Sequence, residues 1–181
     1  MNPAELIQHW RFRNHRVQLA HYDSARFFAG LHLLLGVPAS VLSTLVGTAI
    51  FSTLSKSHTA SMPTEDGSIV VQIAVGFLSV LAAILTGLQT FLKNAEQAER
   101  HRIAGARFAN LKHRIELVAT LPPSSDEELR KELLSIESRW AKLREESPTL
   151  PTFIWKRIER SLPFEDHQNR YPGLGNLASA K

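Results

Sequence analysis

The sequence predicts an all-α membrane protein: an amphipathic N-terminal helix, a two-helix transmembrane hairpin and a cytoplasmic C-terminal helical hairpin. Three observations carry that prediction: two long stretches without charge, an uneven distribution of basic residues around them, and apolar stripes at helical spacing in the charged remainder. Averaged over its 181 residues the chain is 44% apolar and 21% charged with a net charge of +4, figures that fit a soluble domain. The average conceals the pattern. No Asp, Glu, Lys or Arg lies among the 29 residues Phe27 to Ser55 or among the 26 residues Gly67 to Leu92. Each stretch exceeds the roughly 20 residues that a helix needs to cross a bilayer core of about 30 Å.

The first segment, residues 1–26, opens with Asn2-Pro3-Ala4-Glu5, in which Asn is an N-cap, Pro occupies the first helical position and Glu the third. Leu6, Trp10, Val17 and Ala20 then recur at roughly helical spacing. A cleavable signal peptide is not expected, because this segment carries four arginines and the apolar run behind it is too long for a signal core. Span one, residues 27–54, contains Pro38, which removes a backbone hydrogen bond and predicts a kink or hinge. Residues 55–66 form a short polar loop with Pro63 as a turn signal, and span two follows over residues 67–92.

Basic residues orient the spans. The loop holds one, Lys56, whereas residues 1–26 hold four and Lys93 to Arg114 hold six. The positive-inside rule therefore places both termini in the cytoplasm and the loop outside. Residues 93–162 are expected to be a cytoplasmic helical region. Ala104, Phe108, Leu111, Ile115 and Val118 form one stripe at 4-3-4-3 spacing, continuous with span two. Leu121-Pro122-Pro123-Ser124 ends it. Ser125 with Glu128 is a capping box for the next helix, whose stripe is Leu129, Leu133, Ile136, Trp140 and Leu143. Two such helices joined by a tight turn should pack as a hairpin. Ser147-Pro148-Thr149-Leu150-Pro151 breaks the pattern, Thr152 is expected to cap a short last helix, and residues 163–181 read as a flexible tail.

Little in the sequence suggests catalysis. Cysteine is absent, which removes disulfides, thiolate nucleophiles and cysteine zinc sites. His9, His15 and His21 are six residues apart, His101 and His113 twelve, so no pair has the i, i+4 spacing of a helical zinc site. No HExxH, GxSxG, P-loop or GxGxxG is present. Neither enzymatic activity nor a metal or cofactor is expected. Nucleic acid is not an expected partner either, because the basic residues cluster beside the spans, where they orient helices and meet anionic headgroups.

The spans carry the candidate functional residues. Ser40, Thr44 and Thr48 repeat every four residues in span one, and Ser79, Ala83 and Gly87 form a small-xxx-small stripe in span two. Such stripes allow close helix packing or homo-oligomerisation; the alternative is that one packs and the other lines a water-filled path. Gln72, Ser79 and Thr86 share one heptad line, with Gln89 close to it. His32, two turns inside span one, reads as a hydrogen-bonded interior residue or a pH-sensitive gate. A second cluster lies at the cytoplasmic border: His21, Tyr22, Asp23 and Arg26 on one side, Glu96, Glu99, Arg100, His101 and Arg102 on the other. It is either an ion-pair network or a latch that docks an anionic effector on Arg100, Arg102 and Arg107.

The ordered set His21-Tyr22, Leu35-Gly36-Val37-Pro38, Val46-Gly47-Thr48, Gln89-Thr90-Phe91-Leu92, Glu99-Arg100-His101-Arg102, Ala104-Gly105-Ala106-Arg107-Phe108 and Ser147-Pro148…Pro151 resembles the SLATT domain. That family comprises two-span effector domains associated with bacterial nucleotide-synthesising and SLOG sensor proteins, and the resemblance covers residues 1 to about 162. It implies a bacterial inner-membrane effector of an anti-phage conflict system, which forms a membrane pore once a partner detects infection or makes a nucleotide signal. It supplies no catalytic residues. With no sensor sequence among these residues, the trigger is expected to be a separately encoded sensor, a nucleotide-synthesising protein or a small molecule. The competing reading is a membrane-anchored sensor or scaffold whose cytoplasmic helices bind a partner protein.

Overall fold

The computed structural model describes residues 3–57 and 65–163, without the side chains of residues 52–57 and 65–69. Every element among the described residues is a helix. They are α1 (Pro3–Ser57), α2 (Glu65–Leu92), α3 (Asn94–Thr120), α4 (Asp126–Glu146) and α5 (Thr152–Ser161). The Asn2 cap, most of the 55–66 loop and the tail from residue 164 lie outside the described residues. The chain forms two compact units, one of Met1–Phe27 with Gln97–Lys181 and the other of Phe28–Glu96.

Helix α1 is unbroken for 55 residues, running through Pro38 and joining what the sequence divides into an amphipathic helix and a span. Pro38 is exposed within it. Span two behaves differently from the expectation of one continuous helix. Lys93 adopts φ 45°, and this single left-handed residue separates α2 from α3. A side chain at positive φ crowds the backbone, so Lys93 is the place where the apolar helix ends and the polar one begins.

In the polar unit both stripes turn inward. Phe108, Leu111, Ile115 and Val118 of α3 close on Ile136 and Trp140 of α4 and on Ile7 of α1, with Leu129, Leu133, Leu143 and Trp10 packed around them. Fully burying each of the larger aliphatic or aromatic side chains contributes roughly 1.5–3 kcal/mol. Ion pairs fix the register. Arg107 meets Glu146 at 2.8 Å and Arg114 meets Glu132 at 2.7 Å, so α4 returns antiparallel along α3. Arg11 meets Glu116 at 3.1 Å, and Asn14 Nδ2 donates to the Phe108 carbonyl at 2.8 Å, which sets α1 antiparallel to α3 in the same way.

The helix ends follow local chemistry. Ser125 caps α4, its hydroxyl accepting from the Glu128 amide at 3.2 Å. Thr152 does not cap α5: the cap is Pro151, and Thr152 is the first helical residue with no side-chain cap bond. The Pro151 carbonyl already accepts from the amides of Ile154 and Trp155, and its φ of −59° is preset for a helix start. Ile154 and Ile158 of α5 then pack on Ala20 of α1.

The apolar unit is organised the other way round. Its buried apolar residues are small, Ala39 on α1 and Ala82 on α2, while Leu34, Phe51, Val70, Phe77 and Phe91 stand exposed. Both helices are long and apolar enough to cross a membrane, and only 6% of the most apolar stretch of each is buried. A core helix of a soluble protein would be mostly buried, so this surface is suited to lipid.

Candidate functional site

Several hydroxyls of the apolar unit spend their protons on their own helices. Thr44 donates to the Ser40 carbonyl at 2.9 Å, Thr48 to Thr44 at 3.0 Å, Ser79 to Val75 at 2.9 Å and Thr86 to Ala82 at 2.9 Å. This back-bonding satisfies a donor that lipid would leave unpaired. Ser40, Thr44 and Thr48 are exposed, as are Gln72, Ala83 and Thr86, while Ser79 and Gly87 are half-buried. A side chain at Gly87 would meet open space. Among the described side chains of this unit the buried apolar residues are Ala39 and Ala82, each one residue from a position of the expected stripes.

A polar bond between side chains links α1 and α2. Gln89 Nε2 lies 3.3 Å from His32 Nδ1, which fits an amide N–H donated to the ring nitrogen. Gly36 makes room for it: a Cβ there would stand 2.8 Å from Gln89 Nε2. His32 is thus a hydrogen-bonded residue of the helix contact, and Gln89 belongs to that contact rather than to the exposed line of Gln72 and Thr86.

In the polar unit, the predicted border residues separate into distinct contacts. His21 on α1 and His101 on α3 meet Nδ1 to Nδ1 at 3.0 Å, one ring donating and the other accepting. Both are buried, and His21 also stacks on Phe108 with ring centroids 5.4 Å apart. Burial, and then the neighbouring His101, push His21 down to about 4, and burial likewise lowers His101. The pair is therefore uncharged at neutral pH. Tyr22 lies against Gly105, where an added Cβ would approach its ring to 3.1 Å.

The arginines proposed to hold an anion are largely engaged. Arg102 grips Glu99 on its own helix with two 2.7 Å bonds, which hold Glu99 below the usual carboxylate range. Arg107 reaches α4 and bonds to Glu146. Arg100 is exposed on α3. Asp23 turns to Arg157 of α5 at 2.6 Å. The histidine–tyrosine cluster comes together while the predicted phosphate partners are dispersed among carboxylates.

The sequence reading passes over Asn14. It is completely buried, and through the Phe108 carbonyl it ties α1 to the backbone of α3 beside the histidine pair. Its only sequence signal is a polar residue between the apolar positions Trp10 and Val17. Among the described residues no group of three or more His, Asp or Glu could hold a metal ion. Compared with known protein families, curated proteins and solved structures, the chain matches none.

Proposed function

We propose that the chain is an oligomeric membrane effector of the SLATT type, set in a bacterial inner membrane with both termini cytoplasmic. On this reading it opens a pore, or disrupts the bilayer, when a partner sensor or a nucleotide signal acts on its cytoplasmic helices. The observation that carries the reading is the inverted burial of the Phe28–Glu96 unit, whose large apolar side chains face outward. Two helices cannot enclose water by themselves, so a pore requires several copies. The exposed line of Gln72, Thr86, Ser40, Thr44 and Thr48 supports a surface for such copies, with half-buried Ser79 and Gly87 at its border.

A second reading, a membrane-anchored scaffold, is favoured by the back-bonded hydroxyls, since a donor held by its own helix is a poor lining for a water path.

Membrane potential in bacteria expressing the chain, alone and with its genomic neighbours, separates the two. Depolarisation that disappears when Ser79, Ala83 and Gly87 are replaced by leucine supports the pore. A polarised cell with the protein abundant in its membrane under triggering conditions supports the anchor. Topology is open to single-cysteine labelling, because the chain has no cysteine. Ser124→Cys should be shielded from an impermeant maleimide in intact cells, and Ser61→Cys should react.

A further inference from the structure

A cleft of about 430 Å³ opens in the polar unit between α1, the end of α4 and α5. Its size falls within the range of small-molecule sites. Arg13, Arg16 and Arg144 line it, with Trp140 and Trp155 as walls and His21 at its side, and no acidic side chain among the described residues joins them. Elsewhere in the unit Arg11, Arg102, Arg107, Arg114 and Arg157 each meet a carboxylate, while the cleft gathers its three arginines in one lining. Arg13 and Arg144 have no carboxylate partner among the described residues. Arg13 lies over the Trp140 ring at 5.5 Å, and Arg16 lies between Phe12 at 5.4 Å and Trp155 at 5.2 Å. These aromatic faces hold the guanidinium groups in place. Arg16 does approach one carboxylate, Glu159, at 3.1 Å, but without the alignment of a hydrogen bond, so its Nε and Nη2 donors are unspent.

Three guanidinium groups with a single carboxylate beside them, Glu159 against Arg16, leave a net positive charge that raises the local potential and favours an anion. A cation is disfavoured for the same reason. Arginine forks suit carboxylate and phosphate alike, but a single carboxylate offers two oxygens in one plane. A phosphate offers three in different directions and up to two charges, which fits donors arriving from two separate helices. We propose that this cleft is a binding site for a small phosphate-bearing anion, held by Arg13, Arg16 and Arg144 between the two tryptophans. The site lies apart from Arg100, Arg102 and Arg107, and it goes beyond the permeabilising reading, on which its test does not depend.

The ligand's phosphate could belong to a soluble compound or to a lipid headgroup, and titration of the full chain in nanodiscs distinguishes them. In phosphatidylcholine discs, calorimetry with inorganic phosphate, tripolyphosphate and ATP should give saturable binding of at least one. R13Q and R144Q should each weaken it about tenfold, the loss expected for one charge-assisted hydrogen bond. R139Q removes the same charge outside the cleft and should change it less than twofold. If the headgroup is the source, phosphatidylglycerol discs should compete with the soluble probes, and R13Q and R144Q should relieve that competition. Circular dichroism of each variant establishes that it is folded. The proposal is overturned if R139Q weakens binding as much as R13Q and R144Q do. It is equally overturned if none of the three probes binds the chain in phosphatidylcholine discs.

Discussion

Phe108, Ile115 and Ile136, in the unit of Met1–Phe27 with Gln97–Lys181, are each 1% exposed, whereas Phe77 and Phe91, in the unit of Phe28–Glu96, are 70% and 88% exposed. Both units are helical, and α1 contributes to both, so helix formation does not distinguish them. The solvent does. Where water surrounds the helices, large apolar side chains converge and arginines and glutamates pair across the outside. Where the surface is apolar throughout, there is no gain in hiding a phenylalanine; the buried apolar residues are alanines, and an amide–imidazole bond links the helices. The same backbone thus obeys two opposite packing rules along one chain.

Breaking the water-type core should have the largest effect. Phe108→Ala removes the ring that stacks on His21 and fills the α1–α3–α4 core, and should cost about 3–5 kcal/mol. The midpoint of chemical unfolding in mild detergent, read by circular dichroism, should fall accordingly. A change of less than about 1 kcal/mol would mean that the helices of this unit are not held by that core.

The converse substitution tests the other unit. Val80→Arg places a charge among exposed apolar residues of α2 and should oppose insertion by about 2.5–3.5 kcal/mol, lowering the membrane-bound fraction. Glu137→Arg, on the exposed surface of α4, should leave that fraction unchanged. Equal partitioning of Val80→Arg and the parent would argue that Phe28–Glu96 is not in lipid.

The histidine pair gives the polar unit a pH dependence. His21 is lowered from 6.5 to about 4, so the unfolded chain takes up a proton before the folded one does. Stability is complete above pH 6.5 and is lost as pH falls from 6.5 towards 4. Between pH 7.5 and 5 the loss should be about 2 kcal/mol, at a pH where most carboxylates keep their charge. Thermal melts at the two pH values should differ in the parent and converge in H21L/H101L. Parallel melts in the parent would show that the pair is solvated or already charged.

The smallest effect sharpens the apolar side of the comparison. Gln89→Leu removes the bond to His32 and should cost about 0.6 kcal/mol, the average for a hydrogen bond between helices in a membrane. Steric trapping or unfolding in micelles would measure it. A loss several times larger would indicate that His32 and Gln89 support a buried polar network rather than one contact.

Much of this organisation is legible from residue order. The uncharged stretches, the 4-3-4-3 stripes of α3 and α4, the Pro122-Pro123 turn and the Ser125 cap depend on local spacing and local hydrogen bonds, so each can be read within a window of a few turns. The left-handed Lys93 left no comparable trace, because lysine has no preference for positive φ and only the junction of two helices requires it there. The candidate site divides along the same line. That His21 and His101 are near the border is a matter of counting residues, but their Nδ1 contact, 80 residues apart in sequence, depends on how α1 lies along α3. The packing of α4 on α3 consigns Arg107 to Glu146, and the packing of α1 and α4 leaves Arg13 and Arg144 beside a cleft.

The sequence by itself determined the helical class, the two apolar stretches and the faces that each polar helix would bury, since all of these follow from periodicity and from the cost of placing charge in lipid. Tertiary structure alone decided that Ala39 and Ala82, rather than Ser40 and Ala83 beside them, are buried. It also decided which arginines were neutralised and which were left facing a cleft. Neighbouring positions on a helix differ by about 100°, and a modest rotation about the axis selects among them without changing the sequence pattern.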